Sequence, residues 1–241
     1  MFIKFGKEEY LLEMQSGKLY MQNLQSFIDL EKTSGVLGVG DKYDGLLPFT
    51  NVQATLIDPK TNALMIQMQC PVVEFNFGYT KCPIFCMFLF DYRNYVKHEQ
   101  TNNKLTIYYE FTKKNKECIN KDFGSHALAV TNHQEFFRRI NLVFQKNGYA
   151  VKCARVNYYD EHINSKEHMY DVFSDNSRVA FWKREAFKHQ QEFRYMITNI
   201  DINKPIIIDI GNIADITHLL PVEKLLDTHA KITHDIEEEY A

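Results

Sequence analysis

Apolar positions along the chain recur with two different periods. Between residues 7 and 15, Tyr10, Leu11 and Met14 fall at helical spacing and Gly17 follows, which predicts a short helix closed by glycine. Residues 2–5 before it and 18–21 after it read as short strands. Asn23 is placed to cap a second helix that carries Leu24, Phe27, Ile28 and Leu30. Later, Asn132 with Glu135 has the spacing of a capping box. Phe136, Phe137, Ile140, Val143 and Phe144 then mark one helical face, up to Asn147-Gly148.

The middle of the chain has the other texture. Residues 50–56, 63–69, 72–77, 84–90 and 104–111 are rich in β-branched and aromatic side chains and predict strands. Asp58-Pro59-Lys60-Thr61-Asn62 makes a turn between the first two. Beyond the capping box, residues 150–158 predict a strand and 160–176 a polar, mobile connection. Residues 177–189 predict a helix running into a strand, 205–210 an apolar strand, and 222–226 a last short helix. This mixed order argues for an α+β fold rather than a repeating βαβ array. A chain of 241 residues fits one domain, 1–241, with a β-rich middle at 47–111 and an acidic tail at 228–241.

Bulk properties narrow the function classes. A net charge of −3 gives no global basic field that would draw nucleic acid or an anionic membrane. The longest apolar run, residues 82–90, is too short to span a bilayer. The opening residues lack the features of a signal peptide. Five cysteines without framework spacing predict reduced thiols and a cytoplasmic location. Cys82 and Cys86 have no second pair of ligands at zinc spacing, so no metal site is expected. The histidines form no ligand motif, and no nucleophile elbow is present.

The candidate chemistry lies in Trp182–Ile197. If a strand begins near Gln190, then Gln190, Glu192 and Arg194 share one face, while Phe193, Tyr195 and Ile197 pack inward. Three adjacent polar groups need water, one another or a ligand. One reading is a solvated strand start with an Arg194 ion pair. The other is a catalytic carboxylate, with Glu192 stabilising a developing cation by its charge and Gln190 orienting an acceptor. A second candidate is the loop Gly38-Val39-Gly40-Asp41-Lys42-Tyr43-Asp44-Gly45. Its aspartates could face a ligand, or could hydrogen-bond their own backbone in a turn. The aromatic set Tyr108, Tyr109, Tyr158, Tyr159, Phe181 and Trp182 could stack bases or form core.

The opening "FIKFG", the "GKLYM" strand with its following "SF", the "GDKYDG" loop and the late "FWKREAFKHQQEFRYMI" segment occur in that order. Together they resemble the bacterial AbiGi-like abortive-infection family, over residues 2–45 and 178–210. The resemblance implies an ADP-ribosyltransferase-like fold, with a central, mostly antiparallel, split β-sheet and peripheral helices. It implies NAD as substrate, with Lys4 at the ribose, Tyr20 at the nicotinamide, Asp41, Asp44 and Arg194 as further binding residues, and Glu192 with Gln190 as the catalytic pair. Lys4 stands where the family pattern has Arg or His and lacks the bidentate fork of arginine. The implied role is an antiphage effector or toxin that passes ADP-ribose to a nucleic-acid or protein acceptor or to water, with a possible antitoxin or inhibitor protein as partner. Two alternatives remain open at this level. One is a non-catalytic module binding nucleic acid or protein through the acidic loop and residues 182–194. The other is a nuclease whose Asp41, Asp44 and Glu192 hold a divalent metal.

Overall fold

The computed structural model describes residues 1–34, 38, 40–101 and 103–235. The chain opens with β1 (Phe2–Gly6), α1 (Glu8–Gln15), β2 (Lys18–Asn23) and α2 (Leu24–Ser34). α1 buries Leu11 and Met14 and leaves Tyr10 outside. The Asn23 side-chain oxygen accepts from the Ser26 N–H at 2.9 Å and starts α2. The ribbon β3 (Leu47–Ile57) and β4 (Leu64–Phe75) follows. Next come β5 (Pro83–Leu89), β6 (Tyr95–Thr101), β7 (Lys104–Tyr109), α3 (Lys113–Asp122), β8 (His126–Val130) and α4 (His133–Lys146). The remaining elements are β9 (Val151–Arg155), β10 (Asn157–Tyr159), α5 (Lys166–Ser174), β11 (Trp182–Arg184), β12 (Glu192–Ile197), β13 (Ile206–Asp209), β14 (Thr217–Pro221), α6 (Val222–Leu226) and β15 (Ala230–Asp235).

The arrangement is mixed α+β with mostly antiparallel sheets. The main sheet runs β13-β2-β5-β1-β8-β14, and β12 joins β5 with β9 beyond it. Its key feature is a fork. β5 pairs with β2 through Pro83 and Ile84, and with β1 only from Phe88 onward. The sheet therefore parts beside Phe85, Cys86 and Met87. On one face α4 packs Phe136, Ile140 and Phe144 against Phe2, Phe85, Met87 and Tyr195. On the other face Phe88 lies opposite Glu192 and Cys86 opposite Arg194, and cross-strand partners share a face.

Several expected elements take a different form. Residues 63–69 and 72–77 are not two strands; β4 runs through Pro71, which is tolerated because the two-stranded ribbon has free edges. Within the ribbon, Asn51 takes a positive φ of 54°. Leu47 and Phe49 pack on the core, whereas beyond Asn51 Ala54, Leu56, Ile66 and Met68 form an apolar outer face. Residues 160–176 are not simply a connection, since Ser165 caps α5 there. Residues 177–189 are not one helix: 3-10 turns at Asn176–Phe181 and Glu185–Gln190 flank β11, which pairs in parallel with β10. Trp182, Lys183 and Arg184 are all buried, and a short strand between two layers accommodates consecutive buried side chains where a surface helix would expose one. Within the expected tail, residues 230–235 form β15 on β7, and Glu237-Glu238-Glu239 lies outside the described residues. Among the described residues no helix is long and apolar enough to cross a membrane.

Candidate functional site at the fork of the sheet

Glu192 opens β12, and its carboxylate is fixed from two sides. Arg194 donates from Nε to Glu192 Oε1 at 2.5 Å, and Lys183 Nζ donates to Oε2 at 3.2 Å. The Glu192 backbone N–H donates to the Tyr158 hydroxyl at 2.9 Å. Arg194 also donates to both oxygens of Asp44, at 2.6 and 2.9 Å, and to the Ala180 carbonyl at 2.6 Å. This is the bidentate geometry that a planar guanidinium makes and an ammonium cannot. Arg194 is 1% exposed, so it is an internal clamp joining β12 to the acidic loop.

The loop reaches the clamp because of its glycines. A Cβ at Gly40 would stand 2.7 Å from the Phe27 carbonyl oxygen, so only glycine lets the loop lie this close to α2. Gly45 has φ of +73° and turns the chain into β3. The close approach that the sequence offers to a ligand is spent here on a helix. Asp41 accepts from Arg184 Nε at 2.7 Å and from the Tyr43 N–H at 3.1 Å. Arg184 also pairs with Glu31 and, at 3.4 Å, with Glu161.

Burial would raise both carboxyls, but the balance differs between them. For Glu192 the charges of Arg194 and Lys183, with the Arg194 hydrogen bond, outweigh burial and hold the group far below the usual carboxylate range. Glu192 is therefore ionised near neutrality and is not suited to serve there as a general acid. For Asp44, burial prevails over the same two cations and moves the carboxyl upward. Burial likewise opposes the charge on Lys183, but Glu192 and Asp44 overcome it and hold the ammonium above its ordinary value.

Lys4 sits in the fork. Its Nζ donates to the Cys86 carbonyl at 2.7 Å and lies 5.0 Å from the centre of the Phe85 ring. Burial lowers its pKa, against the pull of Glu192. A cavity of about 200 Å³ opens here. Lys4, Asp44, Cys86, Lys183, Gln190, Glu192 and Arg194 line it, together with an apolar wall that includes Phe5, Phe27, Phe88, Ile119 and Phe123. Its charged groups are three cations and two carboxylates, a surplus of one positive charge.

Of the residues singled out in the sequence, Lys4, Asp44, Gln190, Glu192 and Arg194 meet at this cavity. Asp41 stands outside its lining and is held by Arg184. Tyr20 does not belong to the site. It is 54% exposed on β2, opposite Ile207 of β13, so the nicotinamide-facing role implied for it is not met. Gln190 reaches the cavity from a 3-10 turn rather than a strand. It accepts from Lys183 at 2.7 Å and donates to the Gly38 carbonyl at 3.0 Å. Between it and Glu192, Gln191 takes the left-handed region at φ 41°, ψ 48°, a costly conformation for a side-chain-bearing residue. The Gln191 amide holds that bend by donating to the Leu89 carbonyl and to Asn94.

Asp41, Asp44 and Trp182 are buried, while Glu185 and Lys188 of the same late segment are exposed. Asp41, Asp44 and Glu192 are each paired with an arginine rather than grouped for a metal. Of the aromatic set, Tyr159, Phe181 and Trp182 are core. Sequence reasoning missed Lys183 and Cys86. Lys183 has a readable signal, since two aspartates and a glutamate that enter a core need more than one cation. Comparison with protein-family models, with curated proteins and with solved structures yields no match to this chain.

Proposed function

We propose that this chain is an NAD-cleaving enzyme of ADP-ribosyltransferase type, acting as an antiphage effector or toxin. The observation that carries the reading is Glu192, a carboxylate kept ionised by Arg194 and Lys183 in the wall of a cavity at the fork of a split sheet. In this reaction the bond between nicotinamide and ribose breaks, and the electron pair leaves with nicotinamide. Positive charge develops on the ribose carbon, and a fixed anion lowers the energy of that state. An acceptor hydroxyl or water then adds and loses its proton to solvent, since Glu192 is too weak a base to take it. In this reading Gln190, in the cavity wall, orients the acceptor.

The cavity is smaller than the roughly 300–1,000 Å³ typical of sites for drug-sized ligands. It takes the nicotinamide-ribose end and leaves the adenosine half outside. Phe27, Phe88 and Phe123 give the ring the apolar contact expected of Tyr20 in the sequence. The surplus cation, Lys4, supplies attraction for the pyrophosphate. The defence role and the macromolecular acceptor rest on the resemblance to AbiGi-like proteins.

Incubation of the purified chain with NAD labelled in the nicotinamide ring tests the reading. Release of labelled nicotinamide, in the presence of cell extract as acceptor source or in buffer alone, is the expected result. Absence of release under both conditions, with salt-sensitive binding of RNA or DNA instead, would replace it with a recognition module.

A further inference from the structure

A second constellation flanks the helix that walls this cavity. Cys118 and Asp122 are one turn apart on α3, at i and i+4, so their side chains leave the same face of the helix. His189 approaches them from the 3-10 turn that ends in Gln190. One ligand atom from each of the three residues lies within 4.8 Å of the others, and all three residues are half-buried.

The orientation of His189 is the second observation. Its Nδ1 lies 3.0 Å from the Ala186 carbonyl oxygen, which fixes the proton on Nδ1 as the donor of that bond. Nε2 therefore carries the lone pair. It is buried and has no hydrogen-bond partner among the described residues. A histidine beside a thiol and a carboxylate, with one ring nitrogen donating to a backbone carbonyl and the other unpartnered, has the second-shell arrangement of metal-ligating histidines. The turn and the helix are already joined by the Asn115 side chain, which donates to the His189 carbonyl at 2.7 Å.

We propose that Cys118, Asp122 and His189 bind one divalent ion of the zinc class, with the fourth position open to water. A thiolate, an imidazole and a carboxylate suit zinc or cobalt and disfavour magnesium or calcium, which take oxygen ligands. Bonds of about 2.0–2.3 Å in a tetrahedron put ligand atoms about 3.3–3.8 Å apart, so side-chain adjustments of about an ångström close the site. Binding breaks the Cys118 S–H bond, forms the metal–sulfur bond and releases the proton to solvent. The ion fastens α3, which contributes Ile119 to the cavity and is followed directly by Phe123 of its wall, to the turn that contributes Gln190. Its role is to hold the cavity wall in place, and it is independent of which substrate the cavity takes.

Titration of the full chain with cobalt(II) tests this. The expected result is one cobalt per chain, with a thiolate-to-cobalt charge-transfer band and the intense visible bands of a tetrahedral site. Cys118→Ser and His189→Gln are each expected to abolish the bands or weaken binding at least about tenfold. Cys153→Ser, which removes an exposed thiol on β9, should leave them intact. Circular dichroism of each variant without metal verifies the fold. Absent bands in the wild-type chain, bands that survive Cys118→Ser and His189→Gln in folded protein, or bands lost with Cys153→Ser would each overturn the site.

Discussion

At the residue scale the centre of this molecule is Arg194, and its role differs from that of its neighbour Glu192. Arg194 gives hydrogen bonds to two carboxylates and a carbonyl in a region closed to solvent. Its removal leaves Asp44 and Glu192 buried with Lys183 as their remaining shared cation. Arg194→Ala is expected to cost about 3–5 kcal/mol, read as a fall in the denaturant midpoint, because uncompensated buried charge is the expensive case. Glu192→Gln keeps the shape and an acceptor, so a smaller loss of stability is expected. The two carboxyls also give a pH signature. Glu192 titrates lower in the fold than its ordinary 4.5, so its contribution is complete above that pH and is lost as the pH falls toward its folded value. Asp44 works in the opposite sense, since burial has raised it and protonation relieves a penalty. The stability gap between wild type and Glu192→Gln should therefore narrow from pH 7 to pH 3 in chemical unfolding. A gap independent of pH would mean that Glu192 is not held ionised.

At the scale of elements, β11 shows how the core and the site share one segment. Trp182 stacks on His168 of α5, with ring centroids 4.5 Å apart and planes at 22°, while Lys183 and Arg184 enter the two ion clusters. Burial lowers His168 to about 4. The unfolded chain, near 6.5, takes up that proton first as the pH falls. Stability should then decline below pH 6.5 and level off near pH 4, by about 3 kcal/mol at most, and His168→Phe should remove this part of the slope in thermal unfolding. Much of this architecture is legible in the sequence where an element carries its own pattern. α1, α2, α4 and the hairpin turn at residues 58–62 are of that kind, and Glu192 stands out by its company. Elements whose stability comes from neighbours are not legible. α3 buries only Asn115 and Ile119, so it has almost no apolar face to read. β8 is a short alanine-containing strand made by pairing with β1 and β14. α5 lies in a stretch too polar to suggest a helix, yet it buries His168 and Val172. The position of Tyr20 is not legible for the same reason: the alternation along β2 leaves open which face meets the site, and pairing with β13 and β5 turns that residue to solvent.

At the scale of the whole molecule, the proposed function is tied to one topological fact. β5 leaves β2 for β1 partway along its edge, and the gap exposes a carbonyl that Lys4 covers. Into that gap the chain directs groups from β1, the acidic loop, β11 and β12, and lines the rest with aromatic side chains. The Lys4 ammonium thus has a place in the sheet whether or not a ligand is present, held by one carbonyl of the fork. The central claim is that the Glu192 charge acts on a breaking nicotinamide–ribose bond rather than on the fold alone. The most direct measurement is the rate of nicotinamide release by Glu192→Gln relative to wild type, at a temperature well below the unfolding midpoint of both proteins. A loss of at least about a hundredfold, comparable to removing one electrostatic contact to a transition state, is the expected result. Equal rates in two folded proteins would contradict the account.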